Sequence, residues 1–140
     1  MKNKFKFFVI YWLPVFVWSG LIYLFSSHAV PSATQIYWGD FIIKKSAHIF
    51  EYGLLALLWY RALKQSGVKK KTSAIVGLIL AICYGITDEY HQTFTPGREP
   101  RIRDVVFDTI GATAALYIVW NLLPKAPKRL KDWAKKLDLL

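Results

Sequence analysis

A single cysteine in 140 residues, Cys83, excludes an intramolecular disulfide, and its place inside an apolar run predicts a small buried packing residue. Acidic residues are scarce too: nine against nineteen basic ones give a formal net charge of +10. Such an excess would suit nucleic acid, but the lysines and arginines lie in short blocks between apolar segments, and no RNA- or DNA-binding motif accompanies them. Nucleic acid is therefore not an expected partner. The chain also lacks internal repeats, low-complexity tracts and any sign of a second domain.

What is abundant is apolar surface: 54% of residues are hydrophobic and 16% aromatic, more than a soluble domain of this size carries. The class this implies is an integral membrane protein. Residues 7–25 hold no charge over 19 positions, enough at about 1.5 Å per residue to cross a hydrocarbon core about 30 Å thick. The basic start and apolar run have the outline of a signal peptide, but the run is too long and no small-x-small cleavage site follows, so an anchor is expected. Pro14 should only kink it, because neighbouring helices can satisfy the freed backbone groups.

Further spans are expected at about 41–63, 72–90 and 104–123. The expected fold is thus an all-α membrane four-helix bundle over residues 1–123, with a cytoplasmic tail at 124–140. Fourteen of the nineteen basic residues, counting Arg61 at the very end of the second span, fall before the first span, between the second and third, or after the fourth. The positive-inside rule then puts both termini in the cytoplasm. In the tail Leu130, Trp133, Leu137 and Leu140 recur every three or four residues among lysines, the pattern of a basic amphipathic helix on an anionic inner leaflet.

With that topology the polar residues meet at one depth. The second helix starts at the outer surface with Lys44, Lys45, His48 and Glu51; the third ends there with Asp88, Glu89, His91 and Gln92; the fourth starts there with Asp104 and Asp108. Spacing assigns faces: Lys44, His48, Glu51 and Leu55 form one stripe, Gly77, Ala81, Gly85 and Asp88 a second, and Asp104, Asp108, Gly111 and Ala115 a third. Small residues permit close helix approach in a membrane, so these stripes should turn inward. A charge facing lipid at mid-membrane costs about 2.5 to 3.5 kcal/mol on insertion scales, so the ionisable groups should face one another or water. The connection that follows adds a Pro96-Gly97 turn and the cations Arg98, Arg101 and Arg103, whose guanidinium groups suit carboxylate or phosphate.

Several readings follow. The cluster is an outward pocket for an amphiphile, with Lys45, Glu51, Glu89, Gln92, Arg98, Arg101, Arg103 and Asp108 as its ligand-binding groups; or its charges pair internally to hold the helices in register. As an enzyme it would use His48 or His91 as base or nucleophile, with Asp88 and Asp104 beside them and Asp104 or Asp108 orienting the imidazole. Ser26, Ser27 and Ser46 lack the surroundings of a nucleophile elbow. A purely structural partner of another membrane protein is a further alternative. The pairs His48/Glu51 and Asp88/His91 have the spacing of bundle metal ligands but too few further carboxylates, so neither a metal nor a cofactor is expected.

Three blocks resemble the VanZ-like family of small integral membrane proteins. They are "FSSH" at 25–28, where the family often has glutamine in place of His28; "KSAHIFEYGLLALL", with Lys45, His48, Tyr52 and Leu55 at the family spacing; and "DEYHQTFTPGR" followed by "RDVVFDTIGA". The resemblance covers about residues 10–120. In two places the chain departs from it: Glu99 and Pro100 replace small polar residues, and Ala115 stands where a second glycine is frequent, which should loosen helix packing slightly. The resemblance implies a bacterial multi-pass protein of the cytoplasmic membrane, linked in the family's founding member to reduced susceptibility to teicoplanin. It places His48, Asp88, Glu89, His91, Gln92, Arg98, Asp104 and Asp108 at the family's positions. The partners it suggests are the bilayer and a lipid-linked wall precursor or a glycopeptide.

Overall fold

A computed structural model describes residues 3–28, 37–96 and 101–140. Regular structure among the described residues is entirely helical and falls into five helices. They are α1 (Lys4–Ser26), α2 (Tyr37–Gln65), α3 (Lys70–Gln92), α4 (Ile102–Lys125) and α5 (Lys128–Lys136). Each of the first four extends a few residues beyond the apolar core expected for it, because polar end residues continue the helix once its interior is packed.

Proline shapes both ends of the chain. α1 passes through a π-helical turn at Phe8–Trp12 before resuming α geometry at Leu13. Pro14 explains the position of that turn: it has no N–H, and its ring would collide with the Ile10 carbonyl four residues earlier. Widening the turn relieves the clash. The released Ile10 carbonyl accepts a 3.0 Å bond from Arg61 Nη1 of α2, so a neighbouring helix does satisfy it. α4 repeats the device, with a π-turn at Ile118–Leu122 and then a 3₁₀ turn at Leu123–Lys125 that contains Pro124.

Contacts fix the relative directions. Gly77 of α3 lies against Tyr60 and Ala56 of α2, and Gly85 against Tyr52, so α2 and α3 are antiparallel. Lys45 meets Asp104 and Gly53 meets Gly111 and Ala115, so α2 and α4 are parallel. Trp18 Nε1 donates to the Glu51 carbonyl at 2.9 Å and Trp12 Nε1 to Ser66 Oγ at 3.2 Å, which makes α1 antiparallel to α2. The start of α2, the end of α3 and the start of α4 therefore lie at one end of the molecule.

Small residues bring the backbones together. A methyl group on Gly111 would come within 2.7 Å of Ile49 Cα, and one on Gly53 within 3.1 Å of the Gly111 carbonyl oxygen. Ala115 is accommodated because Gly53 faces it, 3.4 Å from the Ala115 methyl to where a Gly53 Cβ would stand. The core is built on α2, whose Tyr52, Leu55, Ala56 and Tyr60 are fully buried against Ala81, Ala112 and Leu116.

Large apolar side chains point outward instead: Phe16, Leu24, Ile79, Ile86, Ile110 and Ile118 are all exposed. Such a surface suits an apolar solvent rather than water. Three helices, Lys4–Ser26, Lys70–Gln92 and Ile102–Lys125, are long and apolar enough to cross a membrane. α2 is long enough but carries Asp40, Lys44, Lys45, Glu51, Arg61 and Lys64. Cys83 is exposed on α3 rather than buried, because the outer face of a spanning helix is itself apolar and a thiol is as acceptable there as in the core.

Candidate functional site

The polar end is assembled from three helices. On α2 the inward stripe starts at Lys45, not Lys44: Lys45, His48, Tyr52 and Leu55 run at helical spacing, and Lys45, Tyr52 and Leu55 are buried. Lys44 sits one position round the helix and pairs with Asp40 at 2.8 Å, one turn earlier on α2. Glu51, next to that stripe, is half-buried, and its backbone carbonyl accepts from Trp18 of α1. α3 contributes Asp88, Glu89 and Gln92, and α4 contributes Asp104 and Asp108; all five are buried.

These side chains pair across helices. Lys45 Nζ lies 2.6 Å from Asp104 Oδ1, an ion contact rather than an aligned hydrogen bond. The ammonium is also flanked by the rings of Phe41 and Phe107, with centroids at 5.8 and 5.7 Å. His48 Nδ1 donates to Asp108 Oδ1 at 2.9 Å, joining α2 to α4 a turn deeper. The His48 ring lies nearly parallel to that of Tyr52, with centroids 6.4 Å apart. On α3 Gln92 Nε2 donates to Asp88 Oδ2 at 3.1 Å. Glu89 Oε2 accepts the backbone N–H of Arg101 at 2.7 Å, tying the end of α3 to the start of α4.

Gly85 makes the meeting possible. A Cβ there would stand 3.1 Å from Asp108 Oδ2 and 3.3 Å from the Tyr52 ring, so the bare backbone of α3 is what lets both side chains in. Among the described residues three polar atoms inside the cluster have no hydrogen-bond partner: Glu89 Oε1, the Tyr52 hydroxyl and Asp104 Oδ1, the last held instead by its ion contact with Lys45. Four buried carboxylates, Asp88, Glu89, Asp104 and Asp108, face one lysine and one histidine, so the interior carries an excess of acid.

The remaining sequence candidates lie around this core. His91 packs against Tyr23 of α1, with ring centroids 4.5 Å apart, and its buried Nδ1 has no hydrogen-bond partner among the described residues. Arg101 and Arg103 are exposed at the rim, where Arg103 Nε lies 3.9 Å from Asp104 Oδ1 and its guanidinium stands over Phe41. Arg98 lies outside the described residues, as does Gly97 of the expected turn. Of the serines, Ser27 donates to the Tyr23 carbonyl of its own helix, Ser26 is buried near the end of α1, and Ser46 is exposed. Among the described residues no group of three or more His, Cys, Asp or Glu side chains is placed to hold a metal ion.

Phe41, Phe107 and Gly85 join the site without having been singled out for it. The aromatic pair carries no spacing signal, since rings are common throughout the chain. Gly85 was legible only as a small residue on an inward stripe. An open apolar cleft of about 220 Å³, lined by Leu78, Thr113, Leu116, Tyr117, Trp120 and Asn121, lies between α3 and α4 and away from the charged cluster.

A charged core shared by helices with apolar outer faces, three of them long and apolar enough to cross a membrane, marks a membrane protein whose ionisable groups are turned inward. The family model described as VanZ/LLP1 matches residues 3–123, and the chain belongs to that family. Searches of curated proteins and of solved structures find no match.

Proposed function

We propose that the chain is an envelope protein that crosses the bacterial cytoplasmic membrane four times with both termini inside. Its polar end would then bind the anionic headgroup of an amphiphile at the outer leaflet. The ligand is a lipid-linked cell-wall precursor or a lipoglycopeptide antibiotic, and binding alters susceptibility to glycopeptides such as teicoplanin. The observation that carries this reading is the convergence of buried ionisable groups from α2, α3 and α4 at one end, with Arg101 and Arg103 at its rim.

α2 supplies the fourth crossing in this reading, because its ionisable groups have protein partners: Lys45 and His48 meet α4, Lys44 pairs with Asp40, and Arg61 and Lys64 bond α1 and the C-terminal residues. Lys64, Lys69, Lys70, Lys71 and Lys125 cluster at the opposite end, which supports placing that end in the cytoplasm. An acid-rich interior repels an anion, so the headgroup sits at the rim, against the guanidinium groups.

The test is binding of radiolabelled undecaprenyl phosphate, and separately of teicoplanin, to the purified protein in nanodiscs. The Arg101→Ala/Arg103→Ala variant should bind one of them at least about tenfold more weakly, from the loss of charge-assisted hydrogen bonds. Equal affinity for both ligands before and after substitution rejects the reading.

The His48–Asp108 bond favours a second reading, an enzyme acting on a lipid-linked phosphate or carboxylate at the outer leaflet. A buried carboxylate on Nδ1 fixes the orientation of an imidazole that acts as a base. Release of phosphate from a lipid-linked substrate, lost in His48→Ala while binding persists, would establish it; no turnover by the unaltered protein excludes it.

A further inference from the structure

The family match ends at residue 123, and the segment beyond it has a structure of its own. α5 follows α4 after Ala126 and Pro127. Leu130, Trp133, Ala134 and Leu137 share one side of its wheel, while Lys128, Arg129, Lys131, Lys135 and Lys136 occupy the rest. The apolar side is divided between two environments. Ala134 is fully buried, whereas Leu130 and Trp133 are 51% and 62% exposed.

α5 cannot roll to hide them, because the residues after it are tied down. Lys64 Nζ donates to the carbonyls of Asp138 and Leu140 at 3.2 and 2.7 Å, and the Tyr60 hydroxyl donates to the Leu139 carbonyl at 3.2 Å. The Asp138 carboxylate accepts from the Tyr11 hydroxyl at 3.1 Å and lies 3.6 Å from Arg61 Nη2. A left-handed turn at Asp138, φ 57°, brings the three residues into place, and Leu139 packs on the core. The tail is thus latched onto α1 and α2, and the latch sets which face of α5 looks outward.

We propose that α5 is a docking surface for the anionic face of the bilayer that the chain spans, held in its binding orientation by the Asp138–Leu140 latch. It rests on the topology proposed above only for which leaflet is meant. Three features select lipid as the occupant. α5 follows a membrane-length helix within two residues, so it starts at the interface. Its outward apolar pair is a leucine and a tryptophan, and tryptophan favours the headgroup depth. Its basic residues greatly outnumber the single Asp132, complementing anionic headgroups within a Debye length.

The test uses the full chain in nanodiscs of phosphatidylcholine alone or with phosphatidylglycerol. A nitroxide is attached to Leu130→Cys in a Cys83→Ser background, and its accessibility to oxygen and to a water-soluble nickel chelate is measured. Phosphatidylglycerol should shield the label from nickel and raise its oxygen exposure, while a label at Asp132→Cys stays open to nickel in both discs. Lys128→Glu/Lys135→Glu, two exposed positions that leave the packing intact, should abolish the difference between lipids. Asp138→Ala should reopen the Leu130 label to nickel. The proposal is overturned if that label is equally open, or equally shielded, in both discs. Shielding that rises with protein concentration also overturns it, because a second copy would then be the occupant.

Discussion

Replacing Lys45 by methionine separates ion pairing from mere proximity at the polar end. The Lys45 and Asp104 side chains are each 11% exposed, so the substitution strands a carboxylate rather than returning it to water. Breaking a buried pair from one side costs about 3–5 kcal/mol. Arg103, 3.9 Å from the same oxygen and itself 46% exposed, offers partial compensation, which puts the expected cost near about 3 kcal/mol. That corresponds to about a hundredfold change in the folded-to-unfolded ratio. Methionine still fills the space between Phe41 and Phe107, so little of this loss comes from packing. Removing both charges in Lys45→Met/Asp104→Leu should return stability to within about 1 kcal/mol of the original, because no unpaired ion remains. Unfolding of the purified protein in mixed micelles of increasing dodecyl sulfate content measures all three. A single variant that loses less than about 1 kcal/mol, or a double variant that falls as far as the single, refutes the pairing.

Three further outcomes can be read with the same preparation. Gly111→Ala should cost about 1–3 kcal/mol, because its methyl meets the Ile49 backbone and α2 and α4 must move apart; Gly20→Ala, with nothing within 4 Å, is the control expected to be neutral. Arg61→Leu should cost about 1–3 kcal/mol by orphaning the Ile10 carbonyl, and less in a Pro14→Ala background, where that carbonyl regains a helical donor. Asp108→Asn keeps the shape at Gly85 but weakens the hold on His48; if the site is catalytic, turnover should drop at least about tenfold with binding unchanged, as measured by phosphate release.

The helices were legible because charge-free runs and small-residue stripes are properties of single helices. Gly77, Ala81, Gly85 and Asp88 share a face in any α-helix, and all four are buried. The inward stripe of α2 was misread by one position because Lys44 and Lys45 are adjacent and spacing alone cannot choose between them. Partner chemistry decides: Asp40 lies one turn back on Lys44's own side, and Asp104 lies across the interface from Lys45. His91 and Asp88 are three residues apart and near the same end, yet His91 meets Tyr23 while Asp88 bonds Gln92, a division that depends on where α1 sits. The C-terminal latch was invisible for the same reason. Nothing in Asp138-Leu139-Leu140 announces that Tyr11, Tyr60, Arg61 and Lys64 will meet it.

The burden of charge on α2 has a consequence for insertion. Lys45 stands about 12 Å from the start of α2 at 1.5 Å per residue, and Glu51 near its middle, so both reach into hydrocarbon under the four-crossing topology. On insertion scales a charge at the centre costs about 2.5 to 3.5 kcal/mol, and less toward the ends, so the two together oppose α2 by up to about 5 kcal/mol. The groups that relieve Lys45 and His48 belong to α4, which is made later. α2 should therefore insert poorly alone and be retained once α3 and α4 arrive. A topology reporter fused after Gln65 should be found on both sides of the membrane, whereas one fused after Lys125 should be cytoplasmic. Asp104→Leu/Asp108→Leu in the longer fusion should bring back the mixed distribution. A uniformly cytoplasmic reporter after Gln65 would show that α2 needs no partners, and that its buried charges serve something other than holding the helices together.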